Sequence, residues 1–161
     1  METRLNNHAK NRILADLTSA EYQRIFPHLE TVDLSSGKII YDLDQPIDYL
    51  YFPLGSMISL VTQMEDGKIV EVGLVGNDGM SGISALLGQK TSPDRAFVQI
   101  PNGAVRIKLE VILQSRQTVC GLKVSSIVRA HRARSPLHLI DTKPPDCRMC
   151  KHCLRISQGK D

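Results

Sequence analysis

Tryptophan is absent, and the seven tyrosines and phenylalanines make up only 4% of the 161 residues, the last of them being Phe97. Cysteine is missing from residues 1–113; all four thiols (Cys120, Cys147, Cys150 and Cys153) come later. Only His8 and His28 supply imidazole within that first part, which contains no Ser/His/Asp, Cys/His or paired-carboxylate arrangement of the kind that nucleophilic or acid–base catalysis uses. No catalytic residue is therefore expected, and the chain reads as something other than an enzyme. No run of about 18 apolar residues occurs, which excludes a helical membrane span. The opening Met-Glu-Thr-Arg-Leu-Asn-Asn-His lacks the apolar segment of a secretory signal. A cytoplasmic protein without a membrane partner is expected.

What is present divides into two unlike parts. Hydrophobic residues make up 42% of the chain, enough for one principal core at this length. Residues 1–113 hold every aromatic and carry 10 basic against 14 acidic residues, a balance of −4. Residues 114–161 carry 10 against 3, a balance of +7. Aromatics build cores and a basic stretch without them builds one poorly. The folded domain is expected in 1–113, followed by a basic, Cys-containing tail over 114–161.

Thr18-Ser19-Ala20-Glu21 has the form of a capping box, and Tyr22, Ile25, Phe26 and Leu29 follow at helical spacing until Pro27 intervenes. Asn11 to Leu17 forms a turn or two of helix ahead of it. From Leu29 the pattern becomes short β-rich runs: Leu29–Leu34, Lys38–Leu43, Tyr49–Pro53, Ser56–Gln63, Lys68–Val75, Arg95–Pro101 and Ala104–Lys108. Such runs between turn residues predict a sandwich or jelly roll. Asn102-Gly103 predicts a two-residue hairpin placing Val98 opposite Ile107 and Ile100 opposite Val105. Asp66-Gly67 predicts another, with Val61 opposite Val72 and Gln63 opposite Val70. Its apolar groups fall on both faces, so cover from a second element, the flanking helices, is expected. Between the hairpins, the glycine-rich Gly76–Gly82 runs into a short helix that Gly88 can end. The start of that helix offers backbone amides to an anion.

In order and spacing, Leu17-Thr18-Ser19-Ala20-Glu21, Gly37-Lys38-Ile39-Ile40-Tyr41, Ile47–Pro53 leading to Gly55-Ser56-Met57, Glu65–Lys68, Gly73–Gly76 and Arg95–Val98 resemble the N-terminal sensory domain of Crp/Fnr-type bacterial transcription regulators. The resemblance implies a cyclic-nucleotide-binding-like fold: mainly β with flanking helices, a double-stranded β-helix or jelly roll. It also implies an effector cassette formed by Gly79, Met80, Ser81, Gly82, Arg95 and Ala96. Nucleotide binders of the family place a Gly-Glu pair at the cassette, where Gly79-Met80-Ser81-Gly82 stands here with Met80 expected at the Glu position. With Phe97-Val98 aligned by strand register, their Arg-Ser/Thr-Ala becomes Asp94-Arg95-Ala96, an acid where the phosphate-reading Arg belongs; a shift of one residue restores the Arg and spoils the strand alternation. Losing the ribose acceptor costs about 1–3 kcal/mol and the phosphate contact roughly 1.5–3 more. At tenfold per 1.4 kcal/mol, a micromolar site becomes a millimolar one. A cyclic nucleotide is therefore not the expected cofactor; a pocket filled by its own side chains, or an unknown small effector, is.

The tail shows neither the dimer helix nor the helix-turn-helix that the resemblance would place after Leu113. It reads as an out-of-frame or otherwise aberrant continuation, so no sequence-specific DNA binding is expected. The partners expected are a second copy of the chain or a full-length relative. The alternative reading is a small metal-binding or redox protein: Cys147-x-x-Cys150-x-x-Cys153 offers three thiolates to zinc or an iron–sulfur cluster, but no second knuckle completes a site.

Overall fold

Two caps start the N-terminal helices. The computed structural model describes residues 8–64 and 66–114. Asn11 caps α1 (Arg12–Ala15), its Oδ1 accepting from the amides of Ile13 and Leu14. Thr18 caps α2 (Ser19–Ile25), and the Glu21 carboxylate accepts in return from the Thr18 amide, completing the capping box. Pro27 then tightens the chain into a 3-10 turn over Phe26–His28.

Seven strands follow: β1 (Glu30–Leu34), β2 (Ile39–Tyr41), β3 (Tyr49–Pro53), β4 (Met57–Gln63), β5 (Ile69–Val75), β6 (Arg95–Ile100) and β7 (Asn102–Lys108). The short α3 (Ile83–Leu86) lies between β5 and β6, and α4 (Leu109–Gln114) follows β7. All pairings are antiparallel, in a three-stranded sheet β1-β7-β3 and a four-stranded sheet β2-β6-β4-β5. Mainly β, with short flanking helices, the domain is a jelly-roll sandwich.

Period-two alternation sorts the side chains into two cores. Leu34, Tyr41, Tyr51, Ile58, Leu60, Val75, Ala96, Val98 and Ala104 fill the space between the sheets. Leu50, Phe52, Val105 and Ile107 point from β3 and β7 to the other side, where Leu14, Ile25, Met80 and Ile112 cover them. Fully burying one such side chain contributes about 1.5–3 kcal/mol, so the helices are held chiefly by this layer.

The expected Asn102-Gly103 hairpin does not form. β6 pairs with β2 and β4, whereas β7 pairs with β1 and β3, so Val98 and Ile107 end up in different cores. Pro101 explains the outcome: closing a two-residue hairpin requires its N–H, which proline lacks, and the chain steps across to the opposite sheet instead. The β4–β5 hairpin does form, with a three-residue loop. Lys68 O accepts from the Met64 amide at 2.8 Å, and Gly67 takes a left-handed φ of +81°. Gln63 consequently pairs with Ile69, and a register shift then brings Ile58 opposite Val75. Its buried face, with Ile58 and Leu60, shares one core with Leu34, Tyr51 and Ala104 of the three-stranded sheet and with Ala85 of α3.

Candidate functional site

The residues named for the cassette diverge in direction once folded. Gly79 closes a tight turn by donating its amide to Gly76 O at 3.1 Å. Met80 packs into the helix-side core, away from the space between the sheets. Ser81 pairs its backbone with Tyr51 in both directions, at 2.9 and 3.2 Å, adding one residue to the free edge of β3. Gly82 precedes α3 with φ +96°, a conformation that side chains resist, so the first residue of the helix after the left-handed glycine is Ile83. Ile83 packs on the helix-side core as well.

On β6, Ala96 faces the sandwich interior and is wholly buried. Arg95 points outward and grips Asp42 with two parallel bonds, Nε to Oδ1 at 2.7 Å and Nη2 to Oδ2 at 3.0 Å. That contact holds the Asp42 carboxyl below the usual carboxylate range. Arg95 thus serves β2 and does not converge on Ser81 and Gly82.

Tyr41 occupies that position instead. Its hydroxyl oxygen accepts from Ser81 Oγ at 2.9 Å and from the Gly82 amide, and its ring is buried in the sandwich core. Burial pushes the phenol up to about 12, with the charge of Asp94 adding to the effect and the two hydrogen bonds opposing it. Asp94 itself is set by Ser92, a buried serine whose Oγ donates to Asp94 O and whose backbone pairs with Asp44 and Gln45. The arrangement is a cradle of one amide and one hydroxyl, closed by a neutral phenol, beside an acid. An anion entering would have to displace the phenol and meet the carboxylate.

Tyr41 stands in the sequence reading only as the end of the Gly37–Tyr41 stretch, not among the cassette residues. Tyr41 and Ser81 are forty residues apart, and no local pattern announces their contact. A pH titration tests the burial. Below pH 10 the phenol is neutral in both folded and unfolded chains. Above it the unfolded chain ionises first, so stability falls between pH 10 and about 12, by roughly 2–3 kcal/mol. Tyr41→Phe is expected to flatten that part of the alkaline unfolding curve followed by circular dichroism; an unchanged slope would refute the assignment.

A second polar group lines the interior of the three-stranded sheet. Glu30, Arg106 and Tyr51 are direct cross-strand neighbours on β1, β7 and β3. Arg106 Nε donates to Glu30 Oε2 at 2.9 Å, its guanidinium carbon lies 4.3 Å from the centre of the Tyr49 ring, and it bonds the Tyr51 hydroxyl. The Tyr51 bond foremost raises the Arg106 pKa further.

Among the described residues, no group of three or more His, Cys, Asp or Glu side chains could hold a metal, and no helix is long and apolar enough to cross a membrane. The expectations for Cys147, Cys150 and Cys153, and for the rest of the tail, lie outside the described residues.

Neither a protein-family model nor a curated protein matches the sequence. Solved structures do match. The sensor domain of the transcriptional regulator DNR from Pseudomonas aeruginosa superimposes with a TM-score of 0.61 at 11% identity, over 86% of this chain and 97% of that one. A cyclic nucleotide-binding-like protein from Brucella abortus gives 0.54 at 22% identity, over 65% of this chain and 95% of that one. The regulatory subunit of a cAMP-independent protein kinase A from Trypanosoma brucei gives 0.67 at 16% identity over 84% of this chain, which spans about half (47%) of that subunit's length. The fold is therefore the cyclic-nucleotide-binding-like one, shared with sensor domains of transcription regulators.

Proposed function

We propose that this chain carries, within residues 1–113, the sensory domain of a Crp/Fnr-type transcription regulator whose cassette has given up cyclic-nucleotide binding. The fold likeness to the regulator sensor domains supports the first half. The single observation behind the second is the Tyr41 hydroxyl seated on Ser81 Oγ and the Gly82 amide, where a ligand phosphate would need those donors. Asp94 beside it, and Met80 and Ile83 both packed on the helix-side core and offering no acceptor, support the same reading. The domain acts by binding rather than by catalysis. It works in the cytoplasm, pairs with a second copy or with a full-length relative, and makes no sequence-specific DNA contact of its own.

Calorimetric titration with cyclic AMP and cyclic GMP, with adenosine as a phosphate-free control, tests the closed cassette. No saturable heat below millimolar concentration is expected for either nucleotide. Micromolar binding of cyclic AMP but not adenosine would overturn the reading.

A further inference from the structure

We propose that the mouth of the sandwich at Arg106 is a binding site for a small carboxylate carried on a flat apolar body, and that the Glu30 carboxylate holds the place of that ligand when none is bound. The proposal rests on the reading of the chain as an effector-binding domain and gives the chemical class of its effector.

Strand alternation fixes where Arg106 lies. Val105 and Ile107 point to the helix-side core and Ala104 to the interior, so Arg106 shares the interior side with Ala104. Elsewhere the lining of that side is apolar, from Leu34 and Ala104 to Val98 and Ile58. A guanidinium there costs desolvation, which only good partners offset. It has three: Glu30, the Tyr51 hydroxyl and the face of Tyr49. Tyr49 and Tyr51 stand 6.3 Å apart with their planes tilted by 56°, forming aromatic walls beside a cation. Lys108 follows on the same face, directly opposite Tyr49, and adds a second positive charge at the exposed end.

The two members of the ion pair differ in exposure. The Arg106 side chain is 29% exposed, and Glu30, on edge strand β1, 49%. The anchor is therefore held while its carboxylate partner is reachable from solvent. An ion pair this exposed opposes a competing carboxylate by less than about tenfold, so a ligand that also covers the tyrosines can replace Glu30. Tyr51 connects the mouth to the cassette: its hydroxyl bonds Arg106 and its backbone bonds Ser81, whose hydroxyl holds Tyr41. A ligand at Arg106 thus has a hydrogen-bonded route to the helix of the cassette. A carboxylate is favoured over a phosphate because a carboxylate already bonds Arg106 Nε and because flat walls suit a flat body.

The test uses the full chain, with benzoate as probe and neutral benzamide as its isostere, followed by calorimetry and by tyrosine fluorescence. Benzoate is expected to bind and benzamide to bind at least about tenfold more weakly, the loss of one charge-assisted contact. Glu30→Gln, which removes the internal competitor, is expected to tighten benzoate by up to about tenfold. Arg106→Gln is expected to abolish binding, and Arg106→Lys, which keeps the charge and the fold, to weaken it about tenfold through loss of the fork. Absence of saturation by benzoate in Glu30→Gln, or benzoate binding equal in Glu30→Gln and Arg106→Lys, would overturn the proposal. Cyclic AMP run alongside reports on the closed cassette alone, so failure of that reading is visible separately from failure of this one.

Discussion

Asn11→Ala is expected to lower the stability of the folded chain by about 3 kcal/mol, a large share of the roughly 5–15 kcal/mol that holds a domain together. Asn11 is wholly buried, and every polar atom of its side chain is used. Its Nδ2 donates to Pro53 O at 2.9 Å, where β3 ends, and to Gly79 O at 3.0 Å, in the turn ahead of the cassette. Its Oδ1 caps α1. Removing a helix cap costs about 0.5–2 kcal/mol, and each buried carbonyl left without a donor costs about 1–3. The backbone nearby reinforces the tie, since the Arg12 amide donates to Asn77 O at 2.8 Å. Urea denaturation followed by circular dichroism reads the effect. Asn11→Ser, which keeps a cap but cannot reach both carbonyls, is expected to lose about half as much. A midpoint for Asn11→Ala unchanged from that of the parent chain would show that the tie is not structural.

Gly82→Ala is expected to cost about 2–4 kcal/mol, because two penalties coincide. At φ +96° an alanine is strained by roughly 1–2 kcal/mol wherever it sits. Here its Cβ would also stand 3.0 Å from Leu50 Cδ2, 3.2 Å from Ile47 Cγ2 and 3.2 Å from the backbone oxygen of Tyr49. That oxygen belongs to β3 and cannot move without disturbing the sheet. Overpacking of this kind adds about 1–3 kcal/mol. Gly88→Ala separates the two causes, since Gly88 has φ +91° with open space around it. It is expected to show the strain alone. Equal losses at the two positions, measured by thermal unfolding, would mean that crowding around Gly82 contributes nothing.

Much of the fold was legible because β-rich runs and their punctuation are local properties. All seven expected strands form, with ends displaced by no more than two residues, and Thr18 and Glu21 cap as their spacing requires. What could not be read was which strands share a sheet. Asn102-Gly103 carries the signal of a tight hairpin, and only Pro101 beside it argues against closure. The cassette was hidden for a related reason. Met80 was legible as apolar but not as a side chain turned to the helices, and the occupant of the cradle, Tyr41, comes from a strand far earlier in the chain. In the hairpin that Asn102-Gly103 predicts, Arg106 falls on the face opposite Val105 and Ile107. With β7 running between β1 and β3, the same alternation brings it inside, against Glu30 and the tyrosines.

That placement of β7 also bears on how the chain comes together as it is made. β1 and β3 have no bond to each other; each is zipped to β7, the last of the described strands to leave the ribosome. Until Lys108 has emerged, the early strands keep open edges and the greasy side of β3 lacks its neighbours Val105 and Ile107, a state prone to sticking to other nascent chains. A translation product cut short anywhere upstream of β7 would thus lack a whole sheet rather than one strand, which makes that position the threshold between waste and a finished domain.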